Sequence, residues 1–457
     1  MNAKTSSLAE SPTGDAVSVA SSERSLTANI APVPRGVADY FWHAAAQRRQ
    51  TEQSMLQTFR SWGYADFIPP TLERAETIAA GSSSTLQSQL VRFADRDGAM
   101  LALRADMTIA AARLMATRLY DAPLPQRFCY AGHVFRDLEA QAGQQREFAQ
   151  TGVELIGVAT PEADAEVLAL TAAALQAAGL RDFQLVLGQM EFFGGLLAEL
   201  SLSEPEKIRL QLAVDRNSEA ELDELLRTFA LPPSARRTIE AFLSLSGRPP
   251  AILLAEAERL VLNQRMRAAL ANLRAICTIL DRYAIMSAVT LDLTEIQNIG
   301  YYTGLTFEVL APGLGFRLAS GGRYDNLIGA FGRTMPAVGV AFGLERVLLA
   351  LAAQNRRQPL TTPLPPDLVA GNVRDAHQVE TIKRWRAEGL RIAVDLEGQS
   401  ESQLLLHALT HGAPAVAYFS ASGIRVTTGQ GAARRTTTLP AGGDLRSALA
   451  GGQGVTL

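Results

Sequence analysis

The sequence predicts an α+β protein: an antiparallel-sheet core carrying a helical insertion, followed by a small α/β domain. Three observations carry that prediction. The stretch from Arg127 to Gly157 reads as a long hairpin, with an apolar strand, a Gly/Gln-rich loop and a return strand of alternating polarity. Residues from about 188 to 282 keep a helical pattern throughout and are more charged. Beyond a proline-rich break, strand and helix patterns alternate to the end of the chain. The 457 residues leave room for two or three domains and a large buried core.

Taken in order, residues 1–30 are rich in Ser, Ala and Thr with scattered acids, which predicts a disordered leader and no secretory signal. Pro34 to Gly63 predicts one amphipathic helix, with Phe41, Met55, Leu56, Phe59 and Trp62 on a face and Gly63 as its stop. A strand from Tyr64 ends at Pro69-Pro70. Gln89 to Leu103 predicts a hairpin turning at Asp95 to Gly98, leading to a helix that begins near Thr108. After the long hairpin comes an Ala/Leu-rich helix, Pro161 to Ala178, and then the insertion, with loops at Ser203-Glu204-Pro205 and Gly247 to Pro250. Strand patterns resume at Val289 and run from Gly300 through Tyr301 and Tyr302 to Glu308. A hairpin carrying Phe316 and Leu318 leads into Ser320 to Asp325, and the core closes with a strand at Val338 and a helix from Val347 to Ala353. Residues 354–366, with four prolines, predict a linker. From 367 onward the pattern predicts a parallel sheet with helices, ending in a loose Gly/Ala-rich tail. The predicted domains are thus 31–353 and 367–457.

Composition excludes several classes. At 47% hydrophobic, 19% charged and a net charge of −3, the chain is expected to be a soluble, cytoplasmic protein without membrane spans or a nucleic-acid-coating charge. Cys129 and Cys277 lie in apolar runs and are expected as buried thiols. His43, His133, His377, His407 and His411 lack metal-ligand spacing, so neither metal nor cofactor is predicted.

The return strand of the long hairpin places Gln150, Gly152 and Glu154 on one face of the sheet. A bare patch at Gly152 between an amide and a carboxylate suits a small molecule bearing an ammonium or imidazole group. Arg136, ending the incoming strand, suits a carboxylate or phosphate. The same pattern also fits an amphipathic hairpin with a solvated outer face.

From about Pro34 to Ala353 the chain resembles the class II aminoacyl-tRNA synthetase core, specifically the histidyl-tRNA synthetase lineage. The resemblance rests on the helix-strand-Pro70 unit, the Arg136 strand with its return Arg146-Glu147-Phe148-Ala149-Gln150, the run Ile299-Gly-Tyr-Tyr-Thr-Gly, Gly321-Gly-Arg-Tyr-Asp325 and Gly343-Leu-Glu-Arg346. That lineage includes a non-synthetase branch, the regulatory subunits of ATP phosphoribosyltransferase. The resemblance implies that Asp106, Thr108 and Gln150 hold an α-ammonium group. It implies that Glu154 and Tyr302 read an imidazole, that Tyr301 and Tyr324 line the pocket, and that Arg136 completes a histidine site. A carboxylate, a hydroxyl and an amide oxygen satisfy the three hydrogens of an ammonium, and a buried polar site of this kind rejects apolar analogues.

The ATP-directed positions differ. Where the synthetase pattern has an arginine acting on the carboxylate and α-phosphate, this sequence has Gln297. Leu138 replaces the carboxylate that reads adenine, and Gln144 replaces a basic residue at the loop's exit. Loss of one preorganised charge partner in such chemistry costs about 2.7–4 kcal/mol, so three losses argue against amino-acid activation. Arg146 and Arg346 remain as a residual anion site. Residues 391–419 carry one Arg, two His and no Lys, which argues against tRNA binding. The implied function is a non-catalytic subunit, dimeric through its core, that pairs with short-form ATP phosphoribosyltransferase and takes L-histidine as effector. A competent histidyl-tRNA synthetase and an RNA-binding or scaffold paralogue stay as alternatives.

Overall fold

A computed structural model describes residues 33–138, 145–216, 218–229, 231–296, 301–355, 365–429, 433–440 and 443–449. The predicted leader, Gln144, Gln297, most of the predicted linker and the end of the tail lie outside the described residues.

Helix α1 spans Trp42–Ser61, not Pro34 onward. Gly36 sits at φ 82, and its carbonyl accepts the Arg146 N–H at 2.8 Å, so the chain before Trp42 crosses the base of the long hairpin instead of coiling. Phe41, expected on the core face, is consequently exposed, whereas Met55 and Phe59 are fully buried. Strand β1 (Ala65–Asp66) follows. Next comes a small antiparallel sheet of β2 (Leu72–Arg74), β3 (Arg92–Ala94) and β4 (Met100–Leu103), with α2 (Ala75–Ala80) and α3 (Ser84–Ser88) in its connections. Its β3–β4 turn closes with the Gly98 N–H on the Asp95 carbonyl, at the predicted place.

Helix α4 (Thr108–Thr117) precedes the long hairpin of β5 (Gln126–Phe135) and β6 (Glu147–Ile156). After α5 (Pro161–Ala177) and β7 (Gln184–Gln189), the chain is helical: α6 (Met190–Glu199), α7 (Glu204–Asp215), α8 (Glu219–Thr228), α9 (Pro233–Leu243), α10 (Pro250–Glu258) and α11 (Gln264–Arg282). Ser203-Glu204-Pro205 starts α7 rather than forming a loop. Ser203 and Glu206 satisfy each other's backbone N–H groups in a capping box, and Pro205 lies in the first turn, where no N–H is missed.

The core closes with β8 (Val289–Leu291), β9 (Leu305–Leu310), β10 (Ala319–Arg323), β11 (Ala337–Gly343) and α12 (Leu344–Asn355). Strand β9 starts later than predicted. The Thr303 hydroxyl accepts the Asp325 N–H at 2.9 Å, which turns the chain and leaves Tyr301 and Tyr302 in the preceding loop.

The main sheet has eight strands in the order β1-β5-β6-β11-β10-β9-β7-β8. It is antiparallel except at its two ends, where β1 pairs with β5 and β7 with β8 in parallel. One face, through Cys129, Ala149, Val153 and Leu155, packs on α1, α5, α11 and α12 in the largest apolar core. The other, through Phe128 and Tyr130, meets α4 and the segment around Tyr324. Side-chain alternation on β5 and β6 therefore sends Glu154 to the α4 face and its neighbours into the main core.

The remaining elements are β12 (Leu368–Gly371), α13 (Ala376–Ala387), β13 (Ile392–Val394), α14 (Glu401–Thr410), β14 (Ala415–Ser420), β15 (Gly423–Thr428), β16 (Arg435–Leu439) and α15 (Leu445–Leu449). Their sheet is mixed, not parallel. Strands β13, β12 and β14 are parallel, while β15 and β16 add antiparallel because the tight connection Ser420 to Gly423 permits only a hairpin. Both cysteines are buried and free. Among the described residues no helix is long and apolar enough to cross a membrane, and no group of His, Cys, Asp and Glu could hold a metal.

Candidate functional site

The floor of the site comes from register. Strand β11 pairs with β6 so that Gly339, Ala341 and Gly343 stand opposite Glu154, Gly152 and Gln150. On β10, Ser320 and Gly322 stand opposite Ala341 and Gly339. Small residues at same-face positions of three adjacent strands leave a hollow above the sheet. The hollow is a cavity of about 300 Å³, at the lower end of the size range of small-molecule sites. Asp106, Thr108, Arg136, Gln150, Glu154, Tyr301, Tyr302 and Tyr324 all line it, so the eight residues expected at a histidine site converge.

Glu154 is the deepest group, 1% exposed. Tyr130 donates its hydroxyl to Oε1 at 3.1 Å, Tyr324 donates to Oε2, and the Thr108 hydroxyl faces the same carboxyl. Burial pushes this carboxyl up to about 8, opposed by the Thr108 and Tyr324 hydroxyls and helped by the neighbouring Asp106 carboxylate. Gly339 makes the arrangement sterically possible, since a Cβ there would lie 1.9 Å from Glu154 Oε2.

Two groups tie the start of α4 to this floor. Asp106 Oδ1 accepts the Thr108 and Ile109 N–H groups at 2.7 and 3.2 Å, capping the helix. Gln150 Oε1 accepts the Met107 N–H at 3.0 Å, leaving that oxygen's second lone pair and the amide NH2 for a ligand. Tyr302 stands edge-on to Tyr301, which leans on Tyr324, so one aromatic wall closes the side of the cavity.

Gly152 is not an open patch. A Cβ there would lie 2.5 Å from the Tyr130 hydroxyl, because Tyr130 pairs with Gly152 across the hairpin and reaches over it towards Glu154. The glycine makes room for a tyrosine, not for a ligand. Sequence reasoning missed Tyr130, although its pairing with Gly152 follows once the hairpin register is known.

A second cavity of about 240 Å³ adjoins the first and is lined by Arg136, Leu138, Gln145, Phe148, Arg317 and Arg346 among others. Arg136 stacks over Phe148 and Arg346 over Phe316. Burial holds both guanidinium groups below their ordinary value, and the positive charge of Arg317 adds to the effect on each. The expected anion site is therefore corrected at one position. Arg146 pairs with Asp137 at 2.7 Å and lines neither cavity, whereas Arg317, which carried no sequence signal in the β9–β10 connection, lines both.

The Gly-Gly-Arg-Tyr-Asp run divides its work. Tyr324 enters the site, while Arg323 is buried and pairs with Asp164 of α5 at 2.7 Å and with Asp325 at 3.1 Å. That buried pair fixes the strand end carrying Tyr324 to the helical layer. On the other flank, Glu345 at the start of α12 accepts the Ala149 N–H at 3.0 Å and pairs with Arg48 of α1 at 2.6 Å.

The histidyl-tRNA synthetase family profile matches residues 36–347. The chain is 40% identical over 329 residues to a protein of Syntrophotalea carbinolica named ATP phosphoribosyltransferase regulatory subunit, covering 72% of this chain and 76% of that one. A protein of the same name from Moorella thermoacetica is 38% identical over 382 residues, covering 83% and 96%. A crystal structure described as an ATP phosphoribosyltransferase regulatory subunit/histidyl-tRNA synthetase from Bacillus halodurans superimposes with a TM-score of 0.74 at 30% identity, covering 84% of this chain and 97% of that one.

Proposed function

The chain belongs to the histidyl-tRNA synthetase-like family, in the branch of ATP phosphoribosyltransferase regulatory subunits, and on that premise we propose that it is a non-catalytic, histidine-sensing subunit. Its partner is the short-form ATP phosphoribosyltransferase catalytic subunit in the cytoplasm, and its own core self-associates as a dimer. The observation that carries this reading is an asymmetry between the two cavities. The first keeps the complete histidine-directed set around Glu154. The second meets Leu138 where an adenine-reading carboxylate is expected, and the sequence has Gln297 and Gln144 where cations are expected.

In the site, histidine lays its imidazole against Glu154 and Tyr302, with its ammonium among Asp106, Thr108 and Gln150. These groups recognise and orient the amino acid. Regulation requires histidine to bind one arrangement of the complex better than the other, and a coupling of about 1–3 kcal/mol suffices.

Calorimetry with L-histidine tests the pocket, and phosphoribosyl transfer by the catalytic subunit with and without this chain tests the role. The expected results are heat from the wild type, none from Glu154→Ala, and transfer that depends on the chain and falls when histidine is added. Histidine-dependent ATP–pyrophosphate exchange by the purified chain would overturn the reading.

A further inference from the structure

Histidine as a zwitterion presents three polar ends, and for two of them the pocket holds a full set of partners. The imidazole meets Glu154, and the ammonium meets Asp106, Thr108 and Gln150. The carboxylate needs a cation, and the position that the synthetase pattern reserves for one carries Gln297. We propose that Arg317 supplies this cation, gripping the carboxylate of the bound amino acid, with Arg136 beside it. The assignment rests on the histidine reading of the pocket.

Four observations support it. Arg317 lines the first cavity together with Glu154 and also lines the second, so it stands where the two meet. Its ion pair with Glu308 spans 3.9 Å, too long for a hydrogen bond, and its side chain is 44% exposed. A guanidinium held so loosely is available to a better acceptor, and its planar fork matches a carboxylate with two parallel hydrogen bonds. Glu308 is also a weak competitor, because burial and the neighbouring Glu295 push its carboxyl up to about 7.

Arg136 is less free to act alone, since its Nε donates to the Ala105 carbonyl at 3.2 Å. Arg136 feels the positive charge of Arg317, and Arg346 feels that of both. A bound carboxylate relieves that repulsion, which favours an anion at this end of the cavity and disfavours a ligand that lacks one.

The test compares L-histidine with histidinol, in which an alcohol replaces the carboxylate, by calorimetry on the full chain. The wild type is expected to prefer histidine. Arg317→Gln is expected to lower histidine affinity about 10- to 100-fold, the loss that follows removal of a charged hydrogen-bond partner, while histidinol affinity stays unchanged. Arg317→Lys, which keeps the charge and loses the fork, is expected to fall between. Equal loss of both ligands in Arg317→Gln, or no loss of either, overturns the assignment while leaving the pocket reading intact. A wild type that binds no histidine sinks the pocket reading and the assignment with it.

Discussion

Replacing Glu154 by Gln should change how the stability of the protein responds to pH. In the fold the carboxyl is buried against Tyr130, Tyr324, Thr108 and Tyr301, with the Asp106 carboxylate close by and, among the described residues, no paired cation. Its proton is therefore held until about pH 8, whereas in the unfolded chain it leaves near 4.5. Below 4.5 both states are protonated and the contribution is whole. Between 4.5 and about 8 the unfolded state has lost the proton and the native state retains it, so stability falls as pH rises. At ~1.4 kcal/mol per pH unit, the full interval amounts to roughly 4–5 kcal/mol. Glutamine keeps a donor, an acceptor and the shape, and does not titrate. Urea unfolding at pH 5.5 and 7.5, on wild type and Glu154→Gln in parallel, cancels the other ionisations. The stability difference, wild type minus variant, should fall by roughly 3 kcal/mol between those two values. A difference that stays constant with pH would show that the carboxyl is ionised in the fold and that the reasoning from burial is wrong.

Two further perturbations test the frame of the site. Gly339→Ala puts a methyl 1.9 Å from Glu154 Oε2 and 2.6 Å from the Val153 carbonyl, so strand and carboxylate must both shift. Calorimetry should show histidine binding lost, and urea unfolding a destabilisation of about 1–3 kcal/mol. Arg323→Leu strands the buried Asp164 carboxylate and should cost roughly 3–5 kcal/mol, most of it recovered when Asp164→Leu is added.

Much of the site was legible because side-chain parity on a strand depends only on sequence. Gln150 and Glu154 share a face whatever the neighbouring strands do. What surrounds them depends on register, which parity alone does not fix. The sequence therefore did not reveal that Tyr130 would lie across Gly152. Arg317 was invisible for another reason: the hairpin expected through Phe316 and Leu318 is an irregular connection that becomes a strand only at Ala319, so strand alternation gives Arg317 no direction. The same limit explains the early part of the chain. Residues 34–41 are compatible with a helix in isolation, and a tertiary hydrogen bond from Arg146 to Gly36 decides otherwise. In the small domain, the first three strands follow the alternating pattern, whereas β15 and β16 reverse direction at a turn that the parallel-sheet expectation overlooked.

The carboxylate of Glu345 holds the backbone at Ala149 with one contact and the guanidinium of Arg48 with another. Ala149 precedes Gln150 directly, so an outer helix and an inner recognition strand share a single fastening. Substitutions on that helix, however far they look from the bound amino acid, will be felt at the amide that greets it.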